Sequence, residues 1–170
     1  MKWQEILAFA EEQEAIAATI PKIMVQVGHC SRALGAEVVA EKLAAFDPSY
    51  EVLNVGCDGA CFNSPQVMMT SVHDGKKKIG RVSPSNMALP NLTGSHGGES
   101  DTKEVENFFK NQHRIVMDNC GSIDPGNVYQ YITKGGYASL YYCLQTDPDE
   151  ILSILESSKL RGRGGAYFPV

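Results

Sequence analysis

Between Lys22 and Val82 the chain runs through an order of segments that few sheets accept. A β-rich run (Lys22–Val27) is followed by a helical stretch (Arg32–Phe46) and a second β-rich run (Glu51–Val55). A third and a fourth (Gln66–Val72 and Lys78–Val82) are joined by the turn residues His73-Asp74-Gly75. Two strands separated by a helix pair in parallel, because the crossover returns the chain to the same end of the sheet, whereas a tight turn enforces antiparallel pairing. The order therefore predicts a mixed α/β sheet with the helix laid on one face. Val39, Leu43 and Phe46 are spaced to form its core side, and Asp47-Pro48 ends it.

The flanks are organised differently. Residues 2 to 18 place Trp3, Ile6, Leu7 and Ala10 on one helical face, with Glu5, Glu11 and Glu12 largely elsewhere, as in an amphipathic helix that packs on a neighbouring unit or a partner. From Ser83 to Thr102, Pro84, Pro90, Gly94, Gly97 and Gly98 stand among polar residues and predict a loop or linker. Beyond it the reading is a short helix over Glu104–Lys110, an extended piece at Ile115–Met117, and a helix opened by Asp124-Pro125 and stopped by Gly135-Gly136. Asp147-Pro148 opens a last helix carrying Ile151, Leu152, Ile154 and Leu155. The expected organisation is an N-terminal helix (1–20), an α/β domain (21–84), a linker (85–103) and a mainly helical segment (104–170).

With 170 residues, 43% of them hydrophobic, the chain can form one or two small cores. Net charge is −5 and the basic residues are scattered, which argues against nucleic acid as a partner. No apolar run approaches the roughly 20 residues of a membrane helix, so direct membrane insertion is not expected. The N-terminus is acidic, unlike a secretion signal, and a cytoplasmic location is expected. Five cysteines in such a chain read as metal ligands or buried thiols before disulfides.

Three of those cysteines have a pattern. Cys57 and Cys61 follow the second strand, and Cys30 follows the first. Adjacent strands lie about 5 Å apart, so loops leaving the same end of a parallel pair bring such residues together. Thiolates are soft ligands for iron–sulfur clusters and zinc. Three residues rather than two separate Cys57 from Cys61, which disfavours a thioredoxin-type disulfide. A cluster, a zinc ion and bare structural thiols are all compatible with this spacing. Cys120, and Cys143 among Tyr141, Tyr142 and Leu144, read as buried thiols; His73, His96 and His113 read as solvent-exposed. Asp118, Asp147, Asp149 and Glu150 read as caps and solvated faces.

The second chemical feature is the loop Arg161-Gly162-Arg163-Gly164-Gly165-Ala166. Glycines expose backbone N–H groups and permit close approach, and guanidinium forks match phosphate oxygens, as a phosphorylated cofactor requires. The run from Arg114 to Pro169, ending SKLRGRGGAYFP, closely resembles the start of the flavin- and NADH-binding subunit of complex I-type NADH dehydrogenases and NAD-linked hydrogenases. The resemblance implies that Arg161 to Ala166 belong to a flavin mononucleotide (FMN) and NAD(H) loop. It also implies that 104–170 is a truncated N-terminal segment of the flavin domain, so that FMN and NAD(H) enter only with the rest of that domain. Lys159 and Tyr167 stand where the family has glycine, and Val170 where it has threonine. If the position of Tyr167 demands positive φ, its side chain is strained there.

VGHCSRALGAEVV and VGCDGACFNSPQVMM resemble the two cluster loops of thioredoxin-like [2Fe–2S] ferredoxins. The resemblance implies a thioredoxin-like ferredoxin domain followed by the short helical segment, with Cys30, Cys57 and Cys61 as metal ligands. The family's first loop carries Cys-x4-Cys, and the position five residues before Cys30 is Val25. A fourth ligand would come from His29, Cys120 or Cys143, with Asp58 a poorer match. The function implied is electron relay through a [2Fe–2S] cluster among other subunits of an NADH-linked complex. The alternative is a cluster-free or zinc-stabilised docking subunit.

Overall fold

Along β1 (Lys22–Gln26), Ile23 and Val25 point one way and Met24 and Gln26 the other, so both faces of this strand have to be covered. The computed structural model describes residues 2–46, 48–70, 77–85 and 98–170. In it β1 is central in a sheet with β2 (Glu51–Val55), β3 (Gln66–Thr70) and β4 (Lys77–Arg81), in the order β2-β1-β3-β4. β1 and β2 are parallel, from Lys22↔Glu51 to Gln26↔Val55. β3 runs antiparallel to β1, with Val67 opposite Val25, and β4 runs antiparallel to β3. The mixed sheet expected from the segment order is present. The turn His73-Asp74-Gly75 and residues 86–97 of the expected linker lie outside the described residues.

The crossover departs from expectation in a way that matters. In place of one helix over Arg32–Phe46 there are two, α2 (His29–Ala33) and α3 (Ala36–Phe46). Gly35 separates them at φ +87°, and a Cβ there would stand 2.5 Å from Cγ of Pro84. No L side chain fits that position without movement. Cys30 is thereby placed in a helical turn of its own. α3 lays Ala36, Val39, Ala40 and Leu43 against Ile23, Val25, Val67 and Met69, which with Val82 form the buried core.

The opposite face is covered by the second half of the chain. α4 (Gly98–Phe109) runs along β4 with Val105 buried, and it begins at Gly98 rather than Glu104. Ile115–Met117 is a bend and turn rather than an extended piece. Cys120 N–H donates to the Met117 carbonyl (3.1 Å), and Val116 is 96% exposed with no strand partner among the described residues.

Three helices follow: α5 (Val128–Thr133), α6 (Ala138–Cys143) and α7 (Pro148–Ser158). The N-cap of α5 is Asn127, whose side chain accepts from the N–H groups of Tyr129 and Gln130. Asp124 instead accepts from Gly126 N–H (2.8 Å) and closes a turn through Pro125, which delays the helix. α6 has no capping side chain and follows Tyr137 at φ 64°, so it forms where local sequence announces no helix. α7 starts as expected, with Asp147 accepting from Asp149 N–H and Pro148 in the first turn.

α1 (Trp3–Ala17) packs along α5. Phe9 meets Tyr129 edge-on at 5.8 Å, Trp3 meets Tyr141 at 5.7 Å, and Asn127 Nδ2 donates to Glu14 at 3.1 Å. The first helix of the chain is therefore packed against α5 and α6 from its second half. Among the described residues no helix is long and apolar enough to cross a membrane.

Candidate functional site

The parallel pairing of β1 and β2 carries their two exits side by side. Val27 N–H donates to the Val55 carbonyl (2.9 Å) and extends the ladder one step past the strands. A Cβ on Gly28 would lie 3.1 Å from Cβ of Cys57, so the two loops are already in van der Waals contact. Cys30 occupies the second position of α2, and Cys61 opens a 3-10 turn, Cys61–Asn63. The three expected thiols are brought together. The Cys61 thiol is pushed above its ordinary range, first by the charge on Cys57 and a hydrogen bond with it, then by partial burial, then by Cys30 acting in the same ways. Cys30 and Cys61 are exposed and Cys57 is half-buried. Gly59 N–H donates to Cys57 Sγ at 3.4 Å.

Sulfur donors of this kind suit a soft metal, and a [2Fe–2S] cluster needs four ligands where three thiols meet here. Among the described residues no group of three or more His, Cys, Asp or Glu side chains is arranged to hold a metal ion. The thiols meet as hydrogen-bonding neighbours. Val25, at the position of the family's other cysteine, is fully buried and belongs to the core. His29 is exposed at the start of α2. Cys143, expected to be buried, is exposed at the end of α6, since no other described element covers that end of the helix. Cys120 is half-buried, short of full burial, because it borders a cavity. It lines a cavity of about 400 Å³ together with Asp58, Gln66, Met68, Phe109 and Arg114.

Four polar side chains hold the cysteine loop from beneath. Asp58 accepts from Ala60 N–H (2.8 Å) and from Gln66 Nε2 (2.9 Å). Gln66 Oε1 accepts from Asn63 Nδ2 (3.1 Å), and Gln26 Oε1 accepts from Asp58 N–H (3.2 Å). Gln26, Asn63 and Gln66 are each at most 4% exposed. Sequence reasoning treated Asp58 only as a weak ligand and missed the other three. The available signal was a glutamine at the end of one largely apolar strand and at the start of another.

The loop Arg161–Ala166 is folded into a small hairpin. Arg161 pairs with Pro169 in an antiparallel bridge, Gly162 N–H donates to the Phe168 carbonyl (2.8 Å), and Val170 N–H donates to the Leu160 carbonyl (3.1 Å). Tyr167 N–H closes the tip onto the Gly164 carbonyl at 3.2 Å. The N–H groups of Arg163, Gly164, Gly165 and Ala166 have no hydrogen-bond partner among the described residues, and the whole loop is exposed. Four such donors in a loop that also carries Arg161 and Arg163 are groups suited to phosphate oxygens. Lys159 and Tyr167 both lie at φ 53°, the left-handed region that glycine tolerates best. The positive φ that would strain Tyr167 is present, and Lys159 shares it.

Comparison with known proteins gives partial matches to components of NAD(P)-linked oxidoreductases. Over 60 residues, 35% of this chain, it is 47% identical to the NADP-reducing hydrogenase subunit HndC of Solidesulfovibrio fructosivorans, covering 12% of that protein. Over 43 residues, 25% of this chain, it is 44% identical to an NADH-quinone oxidoreductase subunit of Aquifex aeolicus (strain VF5), covering 10% of it. The matched stretch thus spans about a tenth of the length of either relative. No family model matches the chain.

Proposed function

We propose that this chain is the electron-relay module of an NADH-linked oxidoreductase, working beside other subunits of a larger complex. The observation that carries the reading is the meeting of Cys30, Cys57 and Cys61 at one end of the parallel strand pair. The partial homology to hydrogenase and NADH dehydrogenase subunits supports it. The strand order, with a helical crossover followed by a hairpin, supports a thioredoxin-like ferredoxin domain. The three thiolates would hold a [2Fe–2S] cluster, with His29, Cys120 or Cys143 as the fourth ligand. Such a cluster supplies one-electron transfer. This chain's own contribution is to hold the sulfurs at an exposed sheet end, where a partner's redox centre can approach. Arg161 to Ala166 would bind the phosphate groups of FMN or NAD(H) once the rest of a flavin domain is present.

The test is anaerobic purification followed by iron, acid-labile sulfide and zinc analysis, with a visible spectrum before and after dithionite. About two irons and two sulfides per chain, with bleaching on reduction, are expected. Iron- and sulfide-free protein that resists reconstitution would reject the relay and leave a docking subunit, with or without zinc.

A further inference from the structure

Gly121 is far from the cysteine loop in sequence and in contact with its support in space. It lies at φ +79°, and a Cβ there would stand 2.8 Å from Nε2 of Gln26 and 2.9 Å from Cβ of Asp58. Asp58 lies between Cys57 and Cys61, and its carboxylate is the point where the loop's backbone and the buried amides join. Gln66 can offer Nε2 to Asp58 only while its Oε1 faces Asn63, so the orientation of each amide depends on the other.

We propose that Asp58, Gln66 and Gln26 are positioning residues that hold Cys57 and Cys61 against Cys30, and that Gly121 closes this support from the second half of the chain. Seating of the turn Met117–Gly121 on the sheet then governs how closely the three sulfurs approach. The consequence deepens the relay reading: a partner that engages the second half of the chain alters the thiol centre through Gly121 without touching it. The inference needs only that the three thiols act together, not that their ligand is a cluster.

The experiment titrates the full-length reduced, metal-free chain with arsenite, whose trivalent arsenic binds apposed thiolates, and reads affinity by ultraviolet difference absorption. Wild type is expected to bind one arsenic per chain, and Cys30→Ser, Cys57→Ser and Cys61→Ser each to weaken binding. Asp58→Ala, Gln66→Met and Gly121→Ala are expected to weaken it by about tenfold or more, the size of effect that supporting contacts have on metal sites. Asp58→Asn is expected to restore most of the affinity, because Oδ1 still accepts from Ala60 N–H and the amides can reverse. Circular dichroism and thermal melts select temperatures at which every variant is folded. Wild type that binds arsenite no better than the Cys61→Ser variant would overturn the inference, as would folded Asp58→Ala and Gly121→Ala variants with affinities within about twofold of wild type. Failure of iron and sulfide to assemble would reject the relay reading alone, because arsenite reads the sulfurs directly.

Discussion

Replacing Gly35 by alanine tests whether the break between α2 and α3 is a steric necessity, and its cost follows from two separable parts. A residue at φ +87° sits where L side chains lose about 1 kcal/mol relative to glycine. The new Cβ would also stand 2.5 Å from Cγ of Pro84, far inside van der Waals contact, and relieving such an overlap costs about 1–3 kcal/mol. Alanine's smaller unfolded-state entropy offsets about 0.5 kcal/mol. The net expected loss is about 1.5–3.5 kcal/mol. Gly59→Ala is the natural control, because Gly59 lies at φ +101° with nothing within 4 Å of a notional Cβ, so only the conformational part applies there, about 0.5 kcal/mol after the same entropy offset. Urea unfolding at unchanged m-value reads both losses. A double-mutant cycle with Pro84→Ala isolates the steric part, expected to recover about 1–3 kcal/mol of coupling. Gly35→Ala indistinguishable from Gly59→Ala, with no coupling to Pro84, would refute the steric account of the helix break.

Three further outcomes are expected. The raised Cys61 thiol stays protonated in the folded chain at pH values where an unfolded thiol has begun to ionise, so the metal-free protein loses stability as pH rises from the ordinary thiol range toward the folded value. Cys61→Ser should flatten that alkaline decline, and Cys57→Ser should bring the iodoacetamide pH profile of Cys61 down; an unmoved profile counts against Cys57 as the main cause. Lys159→Gly and Tyr167→Gly, made singly, relieve left-handed strain and should each raise stability by a few tenths to about 1 kcal/mol despite glycine's entropy. Thermal melts showing a clear loss at both sites would refute this. Asn127→Ala removes the cap of α5 and the link to Glu14 and should cost about 1–2 kcal/mol, whereas Asp124→Ala should cost less; the reverse ranking in urea would return the cap to Asp124.

Much of this architecture is readable in local sequence because its causes are local. Short β-rich runs mark β1 and β2 to within a residue, and Asp147-Pro148 fixes the start of α7, since capping needs only the neighbouring N–H groups. The placement of Cys30, Cys57 and Cys61 at one sheet end also follows from segment order, because parallel pairing leaves little freedom in where the exits of β1 and β2 lie.

What local sequence leaves open was settled by residues distant along the chain. At the break in the crossover helix Pro84 closes the space beside Gly35 to any side chain, and no local propensity records Pro84. Gln26 and Gln66 look like errors in apolar strands until Asp58 and Asn63 satisfy them, since a buried amide is tolerated only with its partners in place. The pairing of α1 with α5, and of Gly121 with the cysteine loop, depends on contacts between opposite halves of the chain. The sequence by itself determined which segments form the sheet and which thiols share its end. Tertiary packing alone decided how the support beneath those thiols is assembled, because hydrogen bonds and steric limits between distant residues leave no periodicity to read.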